Sequence, residues 1–201
     1  EIASCLVGSE MCIRDRRFAG KIYEEAQRLI TLVEDILNLS HLDEGAPGQE
    51  RRQGIDLYAL CERAVASLAE AARQRGIAIS LTGSRQRVDG AEKLLAEIIF
   101  NLCDNAIKYN QENGHVAVSV TREGDRVVLT VQDTGIGIPP GETDRVFERF
   151  YRVDKSHSKA SGGTGLGLSI VKHAALIQKA DVRVESEPGE GSTFTVTFPE
   201  K

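Results

Sequence analysis

The chain has no tryptophan, a single methionine and no apolar run near the ~18–20 residues that a membrane-crossing helix requires. It has no basic excess either: 25 Lys and Arg stand against 30 Asp and Glu, a formal charge of −5. A nucleic-acid surface usually needs a basic stripe, so no nucleic-acid partner is expected. Residues 1–16 contain no apolar segment of the kind a secretory signal carries. These absences read as an intracellular, soluble chain. Cysteine is scarce too, and Cys5, Cys12, Cys61 and Cys103 stand at no metal-ligand spacing. Cys61 and Cys103 lie among apolar residues of helical period, which predicts buried, reduced thiols.

What is present suffices for one domain with a sizeable core and an appended element, since 41% of the 201 residues are apolar. Over 17–43, Ile22, Ala26, Leu29, Val33 and Ile36 repeat at spacings of 4 and 3, the seam of a coiled coil or bundle. Leu32/Leu39 and Ile30/Leu37 widen that stripe, so the helix suits a four-helix bundle whose other helices lie elsewhere. Gly, Pro and charged residues over 44–55 predict a linker. Asp56 is placed to cap a helix that Gly76 stops, and "IAISLTG" alternates as a strand. A helix is expected from Ala91 to about Asn110, then a hairpin "HVAVSVTREGDRVVLTVQD" turning at Glu-Gly-Asp. A Gly-rich loop (135–141), a short helix near 142–150, a polar Gly-rich segment (152–165) and a helix over 166–178 follow. "DVRVESE" and "STFTVTFP" close the chain as strands. The fold class is α+β: a mixed, mostly antiparallel sheet covered by helices on one face and preceded by one long bundle helix.

Three segments carry candidate chemistry. Asn101, Asp104, Asn105 and Lys108 fall at i, i+3, i+4 and i+7, one polar stripe on an otherwise apolar helix. That stripe is either a solvated face or a hard-cation site, because amide and carboxylate oxygens suit Mg²⁺ holding phosphates. "DTGIGIP" (133–139) puts a carboxylate at a strand end before two glycines, either a tight turn or a place where a ligand approaches the backbone. "GGTGLGLSIVKH" (162–173) packs four glycines ahead of a helix, whose N-terminal amides can hold an anion. Its spacing matches neither the P-loop nor the Rossmann fingerprint.

In order, "NLCDNAIKYN", "DTGIGIP", "FERFYR", "GGTGLGL" and "EPGEGSTFTV" resemble the N, G1, F and G2 boxes and the final Gly-rich turn of sensor histidine kinases, in the GHKL ATPase superfamily. The resemblance covers residues 17–201 and implies a Bergerat-type ATP-binding sandwich. Residues 56–201 would be the catalytic and ATP-binding domain, and 17–43 the second helix of the dimerisation and phosphotransfer hairpin. It also implies that Asn105 coordinates Mg²⁺, with Asn101 and Lys108 near the phosphates and Tyr109 beside the adenine. Asp133 would accept the adenine amino group, with Gly135 and Gly137 letting the base approach. Arg152 would reach the terminal phosphate. Gly163, Thr164, Gly165 and Gly167 would form the mobile lid over ATP, and Thr193 would support adenine recognition through water. The implied partners are a response-regulator receiver domain and a second copy of the chain through the hairpin. The implied setting is the cytoplasmic portion of a membrane-anchored protein, with no membrane contact within these residues.

Two departures stand out. The family often has a His-Gly-Gly turn after the last helix, where this chain has "IQKADV". It also phosphorylates a histidine followed by Glu or Asp and then Thr-Pro, and His41, His115, His157 and His173 all lack that context. The acceptor histidine is therefore expected to be missing from this chain. The opening "CLVGSEMCIRDR" fits this, since residues 6–16 read as the translation of a transposase library adapter, and 1–16 are expected to be an artefact. Two further readings are a serine-directed GHKL kinase of anti-sigma type and a non-catalytic ATP-binding dimer scaffold.

Overall fold

Period-2 alternation in the second half of the chain becomes a five-stranded sheet, and the helical periods become a layer over one of its faces. The computed structural model describes residues 19–40 apart from 24, 28 and 38, residues 51–153 and residues 163–199. The elements are a helix within 19–40 (α1), β1 (Arg51–Asp56), α2 (Leu57–Gln74), β2 (Ala78–Gly83), β3 (Arg87–Ala91) and α3 (Glu92–Lys108). They continue with β4 (His115–Glu123), β5 (Arg126–Asp133), a 3₁₀ turn (Arg145–Phe147), α4 (Gly167–Ile177), β6 (Asp181–Glu187) and β7 (Gly191–Phe198). The main sheet runs β2-β4-β5-β7-β6, antiparallel except for the parallel β2–β4 pair. Among the described residues no helix is long and apolar enough to cross a membrane.

The core lies between the helices and the inward row of the sheet. Val116, Val118 and Val120 of β4, Leu129 and Val131 of β5, and Phe194, Val196 and Phe198 of β7 all face it. Leu94, Leu95, Ile98, Ile99 and Leu102 of α3 are fully buried above them, worth roughly 1.5–3 kcal/mol each in transfer free energy. The opposite face of the sheet carries Thr130, Thr193, Thr195 and Thr197, which stay partly open to water. Asp56 caps α2 as its position predicts, its Oδ1 accepting from Ala59 N at 3.1 Å. Cys61 and Cys103 are buried free thiols, and burial pushes the Cys103 thiol up to about 12 and Cys61 higher still.

Two elements differ from the sequence reading. Part of the expected 44–55 linker is strand β1, paired antiparallel with β3 in a separate two-stranded sheet. A bulge between Arg52 and Ile55, with Gly54 at φ 68°, breaks the alternation that would have marked it. The expected short helix near 142–150 is only the three-residue 3₁₀ turn. The "IQKADV" departure keeps a left-handed turn: Lys179 adopts φ 58°, a region glycine enters at less cost. Its neighbour Gln178 is buried, and Gln178 Oε1 accepts from Ala91 N at 3.3 Å, serving the start of α3, which has no side-chain cap of its own.

On α1, Leu39 is buried in the core and Leu32 packs against it, with Asp35 between them on the same side. Ile22, Leu29, Val33 and Ile36 of the predicted seam remain 44–61% exposed, so the seam faces away from the domain. The adapter assignment for 1–16, the rest of the linker, His41 and His157 lie outside the described residues.

Candidate functional site

Asp133 ends β5 with its carboxylate buried, and among the described residues no cation stands beside it. Its Oδ1 accepts from Gly135 N at 2.8 Å and Ser192 N at 3.2 Å. Burial raises its pKa above the usual carboxylate range, and the two N–H bonds pull the other way. Both bonds fall on one oxygen, so the second keeps acceptor capacity for the cavity that Asp133 lines. A buried acceptor of this kind selects a ligand with an N–H donor.

The loop after Asp133 is fixed by backbone and side-chain bonds together. Ile136 N donates to Tyr109 O at 3.1 Å, and Gly189 N donates to Ile136 O at 2.9 Å. Gln111 Nε2 spans to Gly135 O and Gly189 O at 3.1 and 3.3 Å. Gly137 takes φ 68° and packs so closely on Glu187 O that no Cβ would fit.

At the other end of a cavity of about 860 Å³, α3 presents Asn105 and Lys108. Lys108 Nζ lies 2.6 Å from Asp104 Oδ2. Asn101 Nδ2 donates back to Glu97 O at 2.9 Å. Gly167 opens α4 against this stripe, where a Cβ would stand 2.9 Å from Asn101 Oδ1 and 3.5 Å from Asn105 Nδ2. No side-chain cap bond serves the α4 N-terminus, which leaves its amides for an anion. Arg152 Nη1 donates to Gly163 O at 2.5 Å, and Phe150 N donates to Gly165 O at 2.9 Å from a left-handed φ of 63°. Thr164 Oγ1 donates to Asp35 Oδ2 on α1 at 2.6 Å and accepts from Leu166 N at 3.3 Å. Burial raises the Asp35 pKa, against the Thr164 hydrogen bond.

Of the residues expected at the site, Asn105, Lys108, Tyr109, Asp133, Gly137 and Arg152 line this one cavity. Gly135 sits behind Asp133, Asn101 beside Gly167, and Gly163, Thr164 and Gly165 at the lid. Thr193 is not brought there. Strand register aligns it with Gln132 and Glu185 on the open face of the sheet, beside Thr195. The residue facing the cavity is Ser192, aligned with Asp133 and Ser186 across β5, β7 and β6. Alternation back from Phe194 and Val196 carried that signal. His115 starts β4 with its Nε2 3.0 Å from Ser80 Oγ, and His173 lies on α4. Residues 154–162 of the lid segment lie outside the described residues.

Oxygen donors suit a hard cation, and among the described residues no cluster of three or more His, Cys, Asp or Glu side chains could cage a metal. Mg²⁺ takes few protein oxygens and completes its shell with water and phosphate, and the Asn105 amide oxygen on α3 is a donor of that kind lining the cavity. Asn105 is the residue that would hold it.

A one-faced α+β sandwich with a buried carboxylate at one end of its cavity and a Gly-rich helix start at the other defines a nucleotide-binding ATPase domain. Residues 90–201 match the family of histidine kinase-, DNA gyrase B- and HSP90-like ATPases, and the chain belongs to it. Its relatives include the sensor-like histidine kinase SenX3 of Mycolicibacterium smegmatis, 41% identical over 186 residues, covering 92% of this chain and 48% of the relative. The phosphate regulon sensor protein PhoR of Pseudomonas aeruginosa is 36% identical, covering 90% and 41%. Among solved structures, the mycobacterial sensor histidine kinase MprB aligns with a TM-score of 0.64 at 29% identity, over 76% of this chain and 99% of that one. Full-length ShkA, in complex with AMPPNP, aligns with a TM-score of 0.75 at 29% identity, over 92% and 38%. The chain is thus an ATPase domain of this family that is similar to the corresponding region of sensor histidine kinases, and it spans under half the length of these two curated relatives.

Proposed function

We propose that this chain binds Mg·ATP and presents its γ-phosphate to a histidine carried by a segment outside these 201 residues, as part of a homodimer built through α1. The observation that carries this reading is the buried Asp133 carboxylate, with both of its backbone bonds on one oxygen and the other left to accept from an adenine amino group. Asn105 and Lys108 face the phosphates, Arg152 reaches the terminal one, and Tyr109 lies beside the base. Lys108 exchanges its Asp104 partner for phosphate oxygens as the nucleotide enters. Asn105 would hold magnesium, which would supply charge neutralisation on the phosphates. The imidazole nitrogen of the acceptor histidine attacks the γ-phosphorus and ADP leaves, so catalysis is by positioning and charge. In the whole protein the phosphoryl group then passes to an aspartate of a response-regulator receiver domain. The whole protein is anchored in the membrane with this region in the cytoplasm.

Titration with Mg·ATP tests the site. Asn105→Ala is expected to weaken binding at least tenfold, on the scale of one lost charge-assisted contact of about 1.5–3 kcal/mol. Equal affinity in the two proteins would remove Asn105 from the site. Supplying a helical hairpin that bears a His-Glu-x-x-Thr-Pro segment should give acid-labile label on that hairpin, and acid-stable label would point to serine chemistry instead.

A further inference from the structure

Ser186 lies on β6, outside every motif that marks this family in the sequence, yet its hydroxyl joins three segments of the adenine end. Ile138 N donates to Ser186 Oγ at 2.8 Å. Ser186 Oγ donates to Gly191 O at 2.8 Å, and Ser192 Oγ lies 2.9 Å from it. Proton counting settles the direction of the last contact. A backbone N–H only donates and a carbonyl only accepts, so Ile138 fills one lone pair of Ser186 and Gly191 takes its single hydrogen. The hydrogen between the two serines must then belong to Ser192. With that hydrogen spent, the Ser192 oxygen can only accept. It lines the cavity next to Asp133, whose Oδ1 receives the Ser192 N–H.

We infer that Ser186 is a positioning residue that orders the Ser192 hydroxyl as an acceptor toward the cavity, and so selects a base with an amino group at purine position 6. This rests on the nucleotide reading above. A carbonyl at that position would meet two acceptors, the Asp133 carboxylate and the Ser192 oxygen, with no donor to satisfy it. Without Ser186, Ser192 Oγ recovers a rotatable hydrogen and can donate to such a carbonyl.

The test is titration of the full chain with ATP and with ITP, which differ at purine position 6 and with it at N1, an acceptor in adenine and a donor in hypoxanthine; the Ser186 variants read only the change in that preference. Wild-type protein should prefer ATP. Ser186→Ala should lower the ATP/ITP preference by about tenfold, the scale on which one satisfied or unsatisfied hydrogen bond discriminates. Ser186→Thr, which keeps the hydroxyl, should restore most of it. Ser192→Ala should lower the preference similarly, and the double variant should be no worse than Ser192→Ala alone. A Ser186→Ala protein that binds both nucleotides more weakly by the same factor would overturn the inference, as would additive effects in the double variant. If Ser186→Ala does not fold, Ser192→Ala still decides, because an unchanged ratio there removes the acceptor. Wild-type protein that binds neither nucleotide would instead overturn the ATP reading.

Discussion

The two ends of the cavity are built differently. Around Asp133 the walls are strand ends held in sheet register and a turn tied to them by backbone N–H groups: Gly135 N and Ser192 N to the carboxylate, Ile136 N to Tyr109 O, and Gly189 N to Ile136 O. Around the lid no strand ladder holds the backbone among the described residues, and side chains reach it from neighbouring segments. Arg152 holds Gly163 O, Asp35 holds Thr164, and Tyr109 Oη lies under Gly163. Backbone in register cannot move without breaking the sheet, whereas a side chain can turn to another rotamer. The difference suits a site that must read a rigid planar base at one end and admit and release a charged chain at the other.

The strongest way to break this contrast is Gly137→Ala. Its φ of 68° and its contact with the Glu187 carbonyl leave a Cβ no room, so the loop or the β6–β7 turn must shift. The expected cost is on the order of 3 kcal/mol, a melting temperature lower by roughly 6–12 °C for a chain of this size. ATP affinity should fall with it. A variant that melts normally would show the Asp133 end to be less rigid than its bonds imply.

Asp133→Asn separates stability from binding at the same end. Asparagine Oδ1 can still accept the two backbone N–H bonds, but its amide adds a donor where the proposed adenine amino group would stand. Binding should weaken by about 100-fold, as expected when a charged acceptor is lost and a buried donor is left unmatched. The fold should respond in the opposite sense. Burial raises the Asp133 pKa in the folded chain above its unfolded value, so its contribution is fully present at low pH and lost as pH rises through the raised value. At neutral pH the ionised carboxylate costs the ligand-free fold, and the asparagine variant should melt at the same temperature or higher. Thermal melts at pH 7 and pH 4 check this, and the gap should narrow at the lower pH.

The sequence makes much of this end legible. Asp133, Gly135 and Gly137 follow from the order of motifs, and β4, β5 and β7 follow from alternation. The Thr193 expectation goes astray by one position, and in a strand one position is the difference between the cavity and the open face. Ser186 and Gln111 escape notice because their roles lie in bonds to backbone atoms far along the chain, which no local pattern encodes. β1 and β3 escape for a related reason: the pair is short, bulged and poor in apolar residues, so pairing rather than composition defines it. The contact of Asp35 with Thr164 spans 129 positions, and helical period alone places Asp35 only on the flank shared with Leu32 and Leu39.

That contact predicts a smaller effect, confined to the lid. Asp35→Ala removes one half-buried hydrogen bond, worth about 1 kcal/mol. Hydrogen exchange at the amides of residues 164–166 should quicken by about fivefold, while the amides of Gly135, Ile138 and Ser192 stay protected. Faster exchange at both ends would mean that α1 braces the whole domain and that the contrast is one of packing, not of lid attachment.

The smallest effect is expected from Gly163→Ala, the counterpart of Gly137→Ala at the lid. Here the added Cβ would stand 2.8 Å from Tyr109 Oη, the far end of a side chain that can turn aside, and the nearest Arg152 atom is 3.7 Å away. The cost is the rearrangement of one phenol ring, under about 1 kcal/mol, or a melting shift below roughly 4 °C. ATP affinity should change by less than about threefold, within 0.6 kcal/mol or so. The same chemical change, one methyl group on a glycine, would then cost several times more where it meets a carbonyl of the sheet than where it meets a rotatable ring. Equal losses at the two positions would show that Tyr109 is as fixed as the backbone, and that the lid closes on a rigid wall.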